Sequence, residues 1–159
     1  MTVRAIRPED VPAVVGLVRE LADHQKALHD EVRLTEQQLT DCLFGDSPAL
    51  FGHVAELDGE IVGIALWFLN FSTWRGTHGI YLEDLYVQPQ HRGRGLGRAL
   101  LRTLAAVCVE RGYSRLEWSV LDWNAPSIEF YKAAGAVPME GSTVFRLTDD
   151  ALANFSDPR

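Results

Sequence analysis

A glycine- and arginine-rich loop at Arg92–Gly97 has the residue types that bind phosphate groups. Its glycines allow the backbone to approach a ligand closely, and Arg92, Arg94 and Arg98 add positive charge. The loop leads into a segment whose apolar residues recur at helical spacing. Free N–H groups and the positive end of a helix dipole would therefore face the same ligand. The pattern predicts a site for a phosphate or pyrophosphate.

Two better-known glycine loops are excluded by spacing. No Gly-Lys-Ser or Gly-Lys-Thr follows the loop, so it is not a P-loop. The arrangement Gly93-x-Gly95-x-Gly97 also lacks the two-residue gap of the dinucleotide-binding fingerprint. A flexible basic turn without a ligand remains open as the simpler interpretation of the loop alone.

Two adjacent carboxylates, Glu83 and Asp84, interrupt the segment Tyr81–Val87, which is rich in aromatic and β-branched residues and predicts a strand. A carboxylate inside a strand costs free energy unless it is paired or hydrated. Strict alternation would point the two side chains to opposite faces of the sheet. The pair is a candidate for chemistry, and a solvent-exposed edge pair is the alternative.

Two motifs together resemble one family. Arg92-x-x-Gly95-x-Gly97, after a strand that ends Leu85-Tyr86-Val87, resembles the acetyl-CoA pyrophosphate loop of the GNAT superfamily of N-acetyltransferases. The run WNAPSIEFYKAAG at 123–135 resembles the late helix of the same superfamily. Because the motifs are independent and in the family's order, the pair is far more specific than either motif alone.

The resemblance implies a single-domain α/β GNAT fold, with a mixed, mostly antiparallel β-sheet flanked by helices and splayed central strands that hold acetyl-CoA. The domain would span residues 1–159, with a core at about 3–148 and a C-terminal tail at 149–159. The residues that the resemblance assigns to acetyl-CoA lie on the strand, the loop and the late helix: Leu85, Tyr86, Val87, Arg92, Gly93, Arg94, Gly95, Leu96, Gly97, Arg98, Asn124, Ser127, Tyr131 and Lys132.

Acetyl transfer to an amine requires a proton acceptor, because a lysine-like amine has a pKa of about 10.4 and arrives protonated. It also requires donors for the developing oxyanion and an acid for the departing thiolate. On the resemblance, Tyr131 is expected to be the acid, and Glu83 the base or the group that orients a water. The family has a β-bulge in the corresponding strand, which implies that Glu83 and Asp84 face one cleft. A core aromatic is the alternative for Tyr131, and helix capping alone would explain Asn124 and Ser127.

A closer resemblance is to the diamine (spermidine/spermine) and thialysine N-acetyltransferases. It rests on Tyr-Leu-Glu-Asp at 81–84, Trp74, Asp122-Trp123-Asn124-x-Pro126-Ser127 and Phe130-Tyr131-Lys132, and it spans most of residues 4–150. By analogy, acidic and aromatic walls would bind a cationic aliphatic amine by charge and cation–π attraction. The expected substrate-binding residues are Trp74, Glu83, Asp84, Asp30 and Glu31.

Three positions depart from the polyamine pattern. Ser72 and Gln25 stand where acidic residues are expected, and Ser142 stands where the polyamine enzymes have a tryptophan. These changes would shorten or neutralise the far end of the slot and leave its reacting end intact. We therefore expect a small primary amine, either a short diamine or a lysine-like amino acid, in preference to spermine.

Composition favours a soluble globular protein in a reducing cytoplasm, with 47% hydrophobic and 23% charged residues. The net charge of −7 argues against nucleic acid as a partner. No apolar run approaches the roughly 20 residues of a membrane span, and the first residues lack a signal-peptide core.

Cys42 and Cys108 are expected to be buried free thiols, and the histidines lack metal-ligand spacing, so no metal is expected. The family resemblance implies a homodimer, with Thr143–Phe155 as the candidate interface.

Hydrophobic periodicity and turn residues predict the order β-α-α-β-β-β-α-β-α-β. The predicted features are a strand at Thr2–Arg7, a helix capped by Asp10, a helix with a capping box at Thr35, a hairpin around Asp58-Gly59, strands at Arg115–Leu121 and Thr143–Leu147, a late helix from Ser127 to Gly135 and a helical or frayed tail at Asp149–Phe155.

Two other functions compete with small-amine acetylation. Acetylation of a protein lysine or N-terminus would use Ser72–Gly79 as part of an open groove. A non-catalytic acetyl-CoA sensor is the third hypothesis, and the presence of both Glu83 and Tyr131 argues against it, since binding requires neither.

Overall fold

The computed structural model describes residues 1–25 and 31–159. The chain forms two compact units, Met1–Ser119 and Val120–Arg159, which are described separately. The elements are β1 (Thr2–Ala5), α1 (Val11–His24), α2 (Glu36–Phe44), β2 (Phe51–Leu57), β3 (Glu60–Ser72), β4 (Thr77–Val87), α3 (Leu96–Arg111), β5 (Leu116–Trp118), α4 (Ala125–Ala133) and α5 (Asp149–Ser156). Short 3₁₀ turns at Pro8–Asp10 and Pro89–His91 precede α1 and the glycine loop.

The first unit contains a mixed sheet with the strand order β1-β2-β3-β4-β5. Neighbouring strands are antiparallel except β4 and β5, which are parallel. A parallel pair needs a crossover, and α3 provides it. The predicted mixed, mostly antiparallel sheet is confirmed. The crossover also places the N-terminus of α3 just beyond the end of β4, where the glycine loop lies.

The two faces of the sheet are covered by different helices. Val14 and Val15 of α1 and Leu39 of α2 pack in one buried cluster with Ile64 and Leu66 of β3. On the other face, α3 packs by burying its apolar stripe, in which Leu100 and Leu104 are fully buried. Apolar residues at helical spacing thus determine which side of each helix meets the sheet.

Two local signals have their predicted structure. In the hairpin turn, Asp58 has φ 51° and Gly59 has φ 80°, as the Asp-Gly pair requires. At the start of α2, the Thr35 hydroxyl accepts the Gln38 N–H at 3.1 Å, and the Gln38 side chain accepts the Thr35 N–H at 3.0 Å. Both predictions are confirmed.

The predicted cap of α1 is wrong. The Asp10 side chain makes no capping hydrogen bond to α1. It accepts the Arg7 N–H of the preceding turn at 2.7 Å, together with two bonds from the Arg4 guanidinium at 2.7 and 3.0 Å. Arg4 also donates to Glu56 on β2 at 2.8 Å. Asp10 therefore ties β1 to α1, because a charged partner competes better for a carboxylate than the helix N–H groups do.

Several predicted strands are shorter or missing. β1 ends at Ala5 and β5 at Trp118, and Thr143–Leu147 forms no strand in the described chain. A strand needs a neighbouring backbone for its hydrogen bonds, and none of the described residues pairs with that segment. Its Val144 and Phe145 side chains are each 91% exposed. The tail is helical, as predicted, and forms α5.

The cysteine prediction is half right. Cys108 on α3 is buried and Cys42 on α2 is exposed, and both are free thiols. On α2 the buried residues are Leu39 and Leu43, and Cys42 is turned by about 100° from Leu43 around the helix axis. Within the described ranges, none of the helices combines the length and apolar character needed to cross a bilayer.

Candidate active site

A β-bulge interrupts β4 at Glu83. Leu66 on β3 pairs with Asp84, and the next residue, Trp67, pairs with Leu82. Glu83 is therefore the extra residue of the bulged strand and has no partner on β3. The bulge that the resemblance implied is present.

The bulge places Glu83 and Asp84 on the same face of the sheet. Asp84 lies opposite Leu66, which belongs to the cluster under α1 and α2. Tyr81 lies opposite Phe68, which is two residues from Leu66 and so shares its face. Glu83 follows Tyr81 by two residues and points the same way. Both carboxylates consequently face the α1 side, although adjacent strand residues normally point to opposite faces.

The two carboxylates differ in their surroundings. Glu83 is exposed, while Asp84 is half-buried. Burial and the charge of Glu83 raise the pKa of Asp84 to about 6. The pair forms a compact acidic site on the face to which a cationic amine would be attracted.

Polar residues of α1 contact Tyr86 and Gln88, which follow this pair on and after β4. Burial, followed by the Glu20 carboxylate with which its hydroxyl is hydrogen-bonded, raises the pKa of Tyr86. Gln88 donates to both oxygens of Glu20 at 3.2 and 3.3 Å. The His24 ring lies 6.5 Å from the Tyr86 ring. The Tyr86 side chain thus joins α1 to β4 on the carboxylate face, and its predicted role in holding acetyl-CoA stays a prediction.

Sequence reasoning gave no role to Glu20. Its partners Tyr86 and Gln88 are more than sixty residues away in the chain. No local spacing could have revealed this contact, because it depends on the packing of α1 against the end of β4.

The edge of β4 beyond the bulge carries backbone groups suited to a ligand. Gln88 donates its N–H to Val62 on β3 at 2.9 Å, which fixes the alternation of the antiparallel ladder. By that alternation, the N–H and C=O groups of Leu85 and Val87 point away from β3. β5 pairs with β4 only over Ile80–Leu82. In the described chain no strand pairs with these groups, and of the four only the Val87 carbonyl accepts a side-chain hydrogen bond, from Arg92. The edge therefore has backbone groups available for the amide-rich arm of acetyl-CoA.

The glycine loop continues this edge. Gly93 and Gly95 both have φ 79°, a conformation that strains other residues. The first hydrogen bond of α3 runs from the Ala99 N–H to the Gly95 carbonyl at 2.9 Å, so the N–H groups of Leu96, Gly97 and Arg98 have no partner within the helix. A methyl group at Gly97 would meet only Val87, at 4.0 Å. The loop therefore offers free donors and open space for a pyrophosphate.

The loop arginines have different positions. Arg92 donates from Nε to the Val87 carbonyl at 2.9 Å, and its guanidinium lies 5.6 Å from the Tyr86 ring centroid. Arg94 in the loop and Arg98 in the first turn of α3 are exposed. Arg92 thus fastens the loop to the end of β4, and the other two remain candidates for contact with phosphate.

Gly95→Ala should weaken acetyl-CoA binding about tenfold, because an alanine at φ 79° costs about 1–2 kcal/mol and displaces the first N–H groups of α3. Isothermal titration with acetyl-CoA measures this. Gly16→Ala in α1 is the matched control, since nothing lies within 4 Å of its added methyl group. That change should leave binding intact. Equal affinity of the Gly95 variant and the wild type would contradict the assignment of the loop.

The second unit contains the other predicted residues. The Asn124 side chain caps α4 by accepting the Ser127 N–H at 3.4 Å, so capping accounts for this pair. Tyr131 is half-buried on α4, and burial raises its pKa, which keeps the phenol protonated. Lys132 is exposed. The roles of these residues toward acetyl-CoA stay predictions.

Of the remaining predicted substrate residues, Trp74 lies away from the carboxylate pair. Trp74 lies in the turn between β3 and β4 and is 99% exposed. Thr77, where β4 begins after this turn, is about 20 Å from Glu83 along the strand, at about 3.3 Å per residue. Glu31 is exposed, and Asp30 lies outside the described residues. In the described ranges, no group of three or more His, Cys, Asp or Glu side chains is arranged to hold a metal ion.

The comparisons with known proteins agree with this geometry. Residues 17–136 match the acetyltransferase (GNAT) family. Thialysine N-epsilon-acetyltransferase of Bos taurus is 37% identical, over 94% of each chain. The protein of the same name from Caenorhabditis elegans is 33% identical, over 96% of this chain and 94% of its own.

Solved structures show the same fold. An integron cassette protein of V. cholerae superposes with a TM-score of 0.81 at 22% identity, over 98% of this chain and 96% of its own. A metagenomic aminoglycoside acetyltransferase superposes with a TM-score of 0.77 at 17% identity, over 94% and 96%. The chain therefore belongs to the acetyltransferase (GNAT) family and is an N-acetyltransferase with the α/β fold of that family.

Proposed function

We propose that this enzyme transfers an acetyl group from acetyl-CoA, the family's cosubstrate, to a primary amine of a short diamine or a lysine-like amino acid. The observation that carries the proposal is the acidic pair Glu83 and Asp84, which the bulge directs to one face. An ammonium group is attracted to such a pair, and a nearby carboxylate can take up its proton. The relatives named thialysine N-epsilon-acetyltransferase support the class of amine.

The proposed mechanism assigns a task to each part of the site. The backbone of Leu85 and Val87 and the glycine loop bind acetyl-CoA, which supplies the thioester. The acidic pair orients the amine and accepts a proton from it as the nitrogen attacks. Tyr131 donates its phenolic proton to the departing thiolate, and burial keeps the phenol protonated at neutral pH.

The length of the amine is proposed from residues at the far end of the predicted slot. The buried Ser72 hydroxyl accepts the Arg75 N–H at 3.1 Å, so it stabilises the turn where the polyamine pattern has an acidic residue. A neutral, internally bonded serine gives no counter-charge to a distant ammonium. This supports a short substrate.

The test is CoA-thiol release with putrescine, spermidine, spermine, lysine, thialysine and a lysine-containing peptide. Turnover should be greatest with a short amine. A value of kcat/KM for spermine that equals or exceeds that for every short amine would contradict the substrate class. Turnover with the peptide alone would favour a protein substrate, for which the 99% exposure of Trp74 in the turn between β3 and β4 is the supporting observation.

We also propose a single-domain homodimer located in the cytoplasm. The family match runs from 17 to 136 and so includes parts of both units, which supports one domain. Val144, Phe145 and Phe155 are exposed apolar side chains in the predicted interface, which supports dimerisation. Free thiols fit a reducing compartment, and the net charge of −7 favours a cationic small molecule over nucleic acid. Light scattering in solution measures the oligomeric state.

A further inference from the structure

We propose that Asp84 accepts the amine proton, while Glu83 serves as the counter-ion that holds the substrate's ammonium group. The sequence analysis expects Glu83 to be the base, and this inference assigns that role to Asp84. The inference rests on the proposed transfer of acetyl to an amine.

Position on the bulge distinguishes the two side chains. Asp84 is paired with Leu66, which is only 2% exposed and belongs to the apolar cluster under α1. The Asp84 side chain is half-buried beside this apolar surface. Glu83 has no partner on β3 and is exposed to water. A hydrated carboxylate is a weak base but a good counter-ion, whereas a partly desolvated one binds a proton more tightly.

The charge of Glu83 strengthens the difference. Burial and then Glu83 raise the pKa of Asp84 to about 6. A proton acceptor works best when its pKa is near the working pH, because it is then ionised and still basic. When an ammonium group of a diamine binds at Glu83, the negative carboxylate compensates its positive charge.

Neighbouring elements also carry charged groups. Glu20, Asp23 and His24 lie at the end of α1, and Arg92 follows β4. On β4 itself, Tyr81 and Tyr86 share the face, and β3 presents the apolar side chains of Ile64, Leu66 and Phe68 to it. Glu20, Asp23 and Arg92 act on Tyr86, while the charge that raises the pKa of Asp84 is that of Glu83.

The proposed step balances in atoms and charge. The substrate ammonium passes one proton to an Asp84 oxygen, either directly or through one water, and the neutral amine nitrogen then forms a bond to the thioester carbonyl carbon. The C–S bond breaks with its electron pair on sulfur, and the thiolate is protonated by Tyr131. The acetylated nitrogen releases its remaining extra proton, which replaces the proton that Tyr131 gave up, and Asp84 returns its own proton to solvent. No oxidant, reductant or metal is required.

The experiment compares pH profiles of kcat/KM for a short diamine at saturating acetyl-CoA. In the wild type, activity should fall as pH decreases through about 6, where the Asp84 carboxylate takes up a proton. Asp84→Asn should lower kcat about 100-fold and abolish this acidic limb. Glu83→Gln should move the limb to lower pH, because removal of the neighbouring charge lowers the pKa of Asp84.

Binding separates the two roles further. Glu83→Gln should raise KM for the diamine about tenfold with little change in kcat, as expected for a counter-ion. Asp46→Asn, at an exposed carboxylate in the turn after α2, is the matched control and should change neither the limb nor KM. Carboxyl ¹³C NMR of the free enzyme gives a readout independent of activity. The Asp84 signal should titrate near pH 6 and should shift downward in Glu83→Gln.

The reverse pattern would overturn the inference: an acidic limb that survives in Asp84→Asn and disappears in Glu83→Gln. An Asp84 signal that titrates in the ordinary range of aspartate would also overturn it. Failure of the proposed function is distinguishable, because the wild type would then acetylate none of the amines while the NMR titration could still be measured.

Discussion

Tyr131→Phe is expected to lower kcat by about 100-fold and to leave the Kd for acetyl-CoA within about twofold of the wild type. The substitution removes one hydroxyl and keeps the ring that packs beside Phe130, whose centroid lies 5.5 Å away. Burial raises the pKa of Tyr131, so the phenol holds its proton at neutral pH and can donate it to a thiolate. Steady-state kinetics and titration calorimetry measure the two quantities separately.

A matched control removes a hydroxyl elsewhere. Tyr113→Phe, at a tyrosine whose ring packs on His78, should leave kcat nearly unchanged. The defect of the Tyr131 variant should also shrink with acetyl donors whose leaving groups need no proton, such as p-nitrophenyl acetate. A kcat equal to that of the wild type, with intact acetyl-CoA binding, would remove Tyr131 from the chemistry. A parallel loss of acetyl-CoA affinity would make it a binding residue.

Arg4→Ala should reduce the free energy of unfolding by about 2–3 kcal/mol, because it leaves the Asp10 carboxylate without its charged partner. The Asp10 side chain is only 5% exposed, and Arg4 binds both of its oxygens. The hydrogen bonds from Arg4, against the opposing effect of burial, lower the pKa of Asp10. Without Arg4 that pKa should rise, so the destabilisation should diminish as the pH falls and Asp10 becomes neutral. Urea unfolding at several pH values measures this.

The control for Arg4 is an exposed ion pair. Arg115 and Glu117 are joined at 2.9 Å, but their side chains are 42% and 35% exposed. Arg115→Ala should change the free energy of unfolding by less than about 1 kcal/mol, as is usual for exposed pairs. An Arg4 variant no less stable than the Arg115 variant would show that the buried pair does not stabilise the junction of β1 and α1.

Local signals predicted most of the fold correctly. The turn at Asp58-Gly59 and the capping box at Thr35 are determined by residues within four positions of each other, and both have the expected structure. The failures are at Asp10 and Thr143–Leu147. Whether Asp10 caps a helix depends on Arg4, and whether an extended segment is a strand depends on a distant partner. Periodicity contains neither kind of information.

The candidate site shows the same division. Residue types alone marked the glycine loop and the acidic pair, but alternation predicted opposite faces for Glu83 and Asp84. Only the family resemblance implied a bulge, which is a property of the pairing between β3 and β4. The contact of Glu20 with Tyr86 and the position of Trp74 at a hairpin turn arise from tertiary packing and from strand length.

The bulge has a thermodynamic consequence for the folded state. The pKa of Asp84 is raised from 3.8 to about 6 on folding, so the unfolded chain releases this proton first as pH increases. Native stability therefore declines between about pH 4 and pH 6, and the deficit is complete above that range. At neutral pH the enzyme is less stable than a sheet with a neutral residue at this position would be. Asp84 thus lowers the stability of the folded state at the position where we infer that the reaction needs a base.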